Sequence, residues 1–217
     1  MNHTEKIQYI IFSIIIFIVM LLLFVIAAEF NPSFKDFLTG NVVPELIGIC
    51  VEILIIIWVF EIWQSKKQHE KNIIYEKRLR EYLIFMLKNI VTELPDNLLI
   101  GDFYGKNHLE NKENIKNIIS YLNHHETNIE LSSLKNIKKS LLIDKTAFEN
   151  LLEVASLLSD KHFKSWIRIV YFINKLAKLH GSNKKEHKII IQLILRKIIE
   201  FDTASHECNI FVGAKKL

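Results

Sequence analysis

Apolar positions run almost without interruption through the first 63 residues of the chain and turn periodic after them. Residues Ile7 to Ala28 form a stretch of 22 without a charged side chain, and about 20 apolar residues suffice for a helix to cross the hydrocarbon core of a bilayer. A cleaved signal, suggested by the small pair Ala27 and Ala28, has an apolar region of only about 7 to 15 residues, so the length favours a span. A second run, Val42 to Trp63, is equally long and rich in Ile, with Glu45, Glu52 and Glu61 set into it. The pattern predicts a transmembrane hairpin over 1–63, with spans at about 7–28 and 42–63 and an outer loop at 29–41.

From Gln64 the pattern changes to helical spacing. Leu79, Leu83, Met86, Ile90 and Leu94 recur every three or four residues in a segment without Gly or Pro up to Pro95, predicting a juxtamembrane helix over 64–94 that packs on its own domain. Pro95 to Gly105 reads as a loop. Helices follow over 109–122 and 129–142, where apolar residues recur among Lys, Asn and Glu. Thr146 and Glu149 have the spacing of a capping box, predicting a helix start near Thr146. Two further helices, over about 161–180 and 185–200, are rich enough in Ile, Leu and aromatic residues to form the buried centre of a domain over 95–217. Gly181 suits the C-cap of the first. The last dozen residues show no period. The expected fold class is all-α: the hairpin followed by an all-helical cytoplasmic domain.

Charge orients this arrangement. One basic residue, Lys35, lies between the two apolar runs, whereas Lys66, Lys67, Lys71, Lys77, Arg78 and Arg80 follow the second. The positive-inside rule therefore places both termini in the cytoplasm. The net charge of +4 then lies against the anionic inner leaflet, where each Lys or Arg is worth on the order of 1 kcal/mol. Nucleic-acid binding is the other reading of a basic domain. The two cysteines, Cys50 and Cys208, imply no disulfide framework and suit a reducing compartment.

The acidic residues of the second run carry the candidate chemistry, because an ionisable group at mid-membrane costs about 3 kcal/mol on insertion scales. Glu45 and Glu52 are seven residues apart and share a helix face with Gly48. Pro44 in the first turn sets Glu45 near the outer interface, leaving Glu52 deep. This stripe is a candidate pore-lining or interhelical face; a protonated Glu52 bonded within a quiet hairpin is the competing reading. Glu61, beside Trp58 and Trp63, is interfacial. Trp58, Trp63, Lys66 and Lys67 are the expected membrane-interface anchors. The pairs His124-His125 and His206-x-Cys208 lack the spacing of a zinc site. Asp102-Phe103-Tyr104-Gly105 stands without the phosphate loop or catalytic loop of a kinase. No catalytic, cofactor, metal or small-molecule site is expected.

In layout, carried by Ile7 to Ala28, Pro44-Glu45-Leu46-Ile47-Gly48 and the basic exit Lys66-Lys67, the chain resembles the two-transmembrane effector proteins of bacterial antiphage systems, including the membrane effector encoded beside some retron reverse transcriptases. That resemblance implies a multi-pass protein of the bacterial inner membrane. It would be held inactive by a partner complex of reverse transcriptase with RNA or DNA and, when infection disturbs that partner, would damage the lipid bilayer and kill or arrest the cell; the Glu45, Gly48 and Glu52 stripe adds the expectation that the active form is a homo-oligomer, since one two-span chain cannot enclose a pore. A non-catalytic membrane-tethered adaptor and a small oligomeric channel subunit are the rival expectations.

Overall fold

A computed structural model describes residues 14–15, 17–19, 21–22, 25–26, 32–95, 98, 107–123, 129–179 and 183–211. Among them every regular element is helical. The chain divides into two compact units, Met1–Gln64 and Ser65–Leu217.

In the first unit the described residues between 14 and 26 are helical, and the remainder of the predicted first span lies outside the described residues. The segment expected as an outer loop at 29–41 is instead helical where it is described. A short α1, Pro32–Phe37, leads into a π-helical turn, Leu38–Val42, and then into α2, Val43–Val91. Proline at the start of α1 lacks only an N–H that a first turn leaves unbonded anyway, and its fixed φ suits the helix. Gly40 sits within the wider π turn. Pro44, the second residue of α2, occupies the same kind of tolerated first-turn position.

The 49 residues of α2 change character along their length. The helix is apolar enough over 18 residues, at a mean hydropathy of 2.4, to cross a membrane, and none of that window is buried inside the protein. It is the one such helix among the described residues. From Glu76 onward one face becomes buried: Leu79, Leu83, Met86 and Ile90 are fully enclosed and Leu94 nearly so. The helix ends at Val91, and Leu94 N–H bonds the Val91 carbonyl in the turn before Pro95.

The second unit is a helical body around one apolar core. Helices α3 (His108–Asn123), α4 (Leu131–Ile143), α5 (Lys145–Asn150), α6 (Leu152–Ser156), α7 (Asp160–Lys178) and α8 (Lys184–Glu207) follow in order. The most extensive pairing joins α7 to α8, with α3 laid on α8 and α4 against both. Trp166 is fully buried, stacked on Phe148 at 5.1 Å between ring centroids, and its indole N–H donates to the Phe148 carbonyl at 3.0 Å. A buried indole needs such a partner.

The capping box at Thr146 does not form. The helix starts at Lys145 with Asp144 as N-cap, in a helical conformation and with no side-chain cap bond. Thr146 thus lies within the first turn rather than before it, and Glu149 turns to Asn174 on α7, accepting its amide N–H at 3.0 Å. A cap forms at Ser159, which accepts from the His162 N–H and opens α7. Asn183 does the same for α8. Helix α8 also runs seven residues past the predicted end at Glu200. It closes with Cys208 as C-cap and Asn209 at φ 54°, in the left-handed region. Ile210 N–H bonds Ser205 O at 3.0 Å and Asn209 N–H bonds His206 O at 3.1 Å, the two bonds of a Schellman motif.

Candidate functional site: an apolar helix and a buried ion cluster

Within the first unit, Glu45, Gly48 and Glu52 lie in the same uninterrupted stretch of α2 and all three are exposed. At about 100° per residue, Glu52 stands roughly 20° around the axis from Glu45 and about 10 Å along it. A methyl group added to Gly48 would meet nothing within 4 Å. The face is therefore polar, narrow in the middle and, among the described residues, without a neighbour at Gly48. Glu61 sits about 160° around the helix from Glu45, on the opposite side.

Trp58 and Trp63 project outward, 64% and 54% exposed. Trp63 lies 5.9 Å from Phe60, so the aromatic residues gather at the end of the apolar run. Lys66 and Lys67 follow within the next turn and are exposed. Indole rings with ammonium groups one turn beyond them match the side chains that settle at a headgroup boundary.

A second constellation, in the helical body, has no counterpart in the sequence reading. Arg80 on α2 donates from Nε to Glu76 Oε1 at 2.8 Å, again from Nη2 to the same oxygen, and from Nη1 to Asp202 Oδ1 on α8. The other Asp202 oxygen bonds Nδ1 of His108, the first residue of α3. All four side chains are more than nine-tenths buried. Phe211 covers the guanidinium at 4.3 Å, and His206 stacks on His108 at 4.6 Å. One carboxylate thus ties the first, second and last long helices of the body together across 122 residues of sequence. Asn111, one turn beyond His108, buries an amide nitrogen with no hydrogen-bond partner among the described residues.

Beside this cluster His162 is fully buried, its Nδ1 at 2.7 Å from Ser159 Oγ and Nε2 at 3.0 Å from Ser205 Oγ. Ser205 also donates to the Phe201 carbonyl, so Nε2 of His162 donates to Ser205 and Nδ1 accepts from Ser159. Burial, reinforced by the nearby Arg80 charge, holds the imidazole neutral and lowers its pKa to about 4. At the surface, the Lys161–Glu207 pair raises the lysine pKa and lowers that of the glutamate through their hydrogen bond.

Chemically, the ion cluster is closed: its carboxylates are consumed by Arg80 and His108. Of the histidines weighed as metal ligands, His206 stacks on His108, His124 and His125 lie outside the described residues, and no group of three His, Cys, Asp or Glu side chains that could hold a metal ion occurs among the described ones. Residues 102–105 also lie outside them. The sequence signal missed was the pair Glu76-Arg80, acid before base at i,i+4, flanked by apolar residues on what becomes a buried face. Asp202 at the same kind of position in α8 is its complement. No family model matches the chain, and neither the curated proteins nor the solved structures include a match to it.

Proposed function

We propose that this protein is a bacterial inner-membrane effector whose apolar helices self-associate through the Glu45, Gly48 and Glu52 face and open a polar path through the bilayer. The observation behind this reading is that face itself. In α2 it is exposed, carries two carboxylates and meets nothing at its glycine. In lipid such a face needs either protein or water against it, and the close approach allowed by glycine lets another helix supply the protein. In this reading the second apolar run crosses the membrane with the first as a hairpin, both termini are cytoplasmic, and the helical body receives the signal that releases the effector. The antiphage setting and a reverse transcriptase complex as restraining partner rest on the resemblance in layout.

The test is depolarisation of cells on induced expression, read with a potential-sensitive dye. Wild-type protein should collapse the potential, and Glu52→Leu should abolish the effect while the protein remains in the membrane fraction. An unchanged potential in wild type, or a potential that still collapses with Glu52→Leu, refutes the proposal. The body's closed ion cluster favours a second reading, a tethered adaptor in which α2 only localises a rigid helical module. It predicts membrane retention with no depolarisation.

A further inference from the structure

Lysine side chains crowd one end of the helical body. Helix α7 gives way to its C-cap Leu179 and α8 follows its N-cap Asn183, so the short connection holds these two ends within about 14 Å of each other. Lys138 of α4 donates from Nζ to the Leu179 carbonyl at 2.8 Å, and Asn136 donates to Glu93, just past the end of α2, at 3.1 Å. The ion cluster lies at the other end: Asp202 is about 27 Å along α8 from Lys184, at about 1.5 Å per residue. Six exposed lysines stand at the assembled end: Lys135 and Lys139 on α4, Lys175 and Lys178 in the last turn of α7, and Lys184 and Lys185 opening α8.

None of the six pairs with a carboxylate among the described residues. Glu93 and Glu130, acids of the adjoining segments, accept from Asn136 and Ser132, and Glu186 stands among the lysines in the first turn of α8. Most of the excess of a chain with net charge +4 is therefore concentrated at one end, where the ammonium groups repel one another until an anion lies across them. An aromatic ring borders them. Tyr171, 59% exposed and braced by Phe172 at 5.3 Å between centroids, lies within about 60° around α7 of both Lys175 and Lys178. We propose that this surface binds a single-stranded nucleic acid, its phosphates on the lysines and a base stacked on Tyr171.

Charge and composition select that occupant. Lysine meets phosphate as a point charge, backbone contacts of this kind require no base sequence, and an exposed ring offers a face on which any unpaired base stacks. A duplex keeps its bases from such a ring. Interface cores between proteins are depleted in Lys and centre on well-packed apolar anchors, whereas the large apolar side chains exposed beside these lysines, Ile143 and Ile189, are too few to form one. Lipid headgroups are too distant, because α2 runs unbroken for about 36 Å from Lys67 to Val91 against a Debye length of about 8 Å. That last exclusion rests on the proposed function, which sets Lys66 and Lys67 at the headgroup boundary.

The full chain in neutral detergent is titrated against fluorescent poly(dT) and poly(U) of about 20 nucleotides, with binding read by anisotropy. Log affinity should fall against log salt with a slope of about −3 to −4. Lys135→Gln with Lys139→Gln, Lys184→Gln and Lys185→Gln should weaken binding at least about tenfold and take about 2 from the slope. Lys71→Gln with Lys77→Gln, Lys112→Gln and Lys116→Gln, the same charge change on α2 and α3, should cost under about threefold. Tyr171→Ala should cost about tenfold on single strands and under about twofold on a duplex of equal length. No binding at about 50 mM salt, equal losses from the two lysine sets, or equal effects of Tyr171→Ala on strand and duplex would each overturn the proposal. Displacement by polyglutamate as readily as by unlabelled strand would assign the surface to an acidic protein and overturn it too. In nanodiscs, amine labelling of Lys184 and Lys185 should be suppressed by poly(U) and not by anionic lipid; the reverse pattern would assign the lysines to headgroups. Strand binding without Glu52-dependent depolarisation defeats the pore alone, and depolarisation without strand binding defeats this inference alone.

Discussion

A single buried carboxylate, Asp202, holds Arg80 with one oxygen and His108 with the other. An ion cluster of this kind adds little net stability compared with apolar residues of the same volume. Removing one member nevertheless strands the remaining charges, at a cost of about 3–5 kcal/mol. Arg80→Met, which leaves the buried Glu76 without its partner and Asp202 with His108 alone, should lower unfolding free energy by that amount in detergent, followed by circular dichroism during chemical denaturation. A loss under about 1 kcal/mol would mean the cluster is not closed in solution. His162 supplies a pH dependence. Its folded pKa of about 4 lies below the unfolded value of about 6.5, so the unfolded chain takes up the proton first. The contribution is present above about pH 6.5 and is lost as pH falls toward 4. Between about pH 8 and pH 5 it should amount to roughly 2 kcal/mol more lost by wild type than by His162→Gln. Equal pH slopes in the two proteins would remove His162 as the cause.

Helix ends show where local rules held and where they gave way. Ser159 and Asn183 cap their helices through side-chain oxygens, and both residue types are strong caps. Thr146 is equally able to cap and does not, because the helix already starts at Lys145 and takes Thr146 into its first turn, while the Glu149 side chain bonds Asn174. The Schellman end of α8 rests on Asn209 in a left-handed conformation, which costs a β-branched residue more than asparagine or glycine. Asn209→Gly should leave the thermal midpoint within a degree or so, whereas Asn209→Val should destabilise by about 1–2 kcal/mol, read by thermal denaturation. Equal midpoints for the two would show that the motif does not hold the C-terminal end. The same helix end delivers His206 and Phe211 to the ion cluster, so frayed packing there would expose Arg80 as well.

At the scale of the molecule, α2 changes character along its length: an apolar stretch long enough to cross a membrane and with no buried residue, then a face sealed into the body. Leu54 lies about 180° around the axis from Glu45, on the side turned away from the acidic face. Leu54→Arg should therefore cost about 3 kcal/mol of insertion and move protein from the carbonate-resistant pellet to the supernatant, whereas Glu52→Leu should not. Equal retention of both variants would mean this segment does not lie in lipid.

The length and composition of the apolar run at 42–63, the helical class of the described elements after it, and the burial of Leu79, Leu83, Met86 and Ile90 were legible in the sequence. Each follows from a local property, either hydropathy over about 20 residues or a period of 3.6. The helical path through 32–42, the displacement of the Thr146 box, the extension of α8 to Glu207 and the Glu76–Arg80–Asp202–His108 cluster emerged only in three dimensions. Asp202 and Arg80 are 122 residues apart, and no window of sequence contains both. Their charges are tolerable inside the core only because α2, α3 and α8 bring them together, and that meeting is decided by the packing of whole helices.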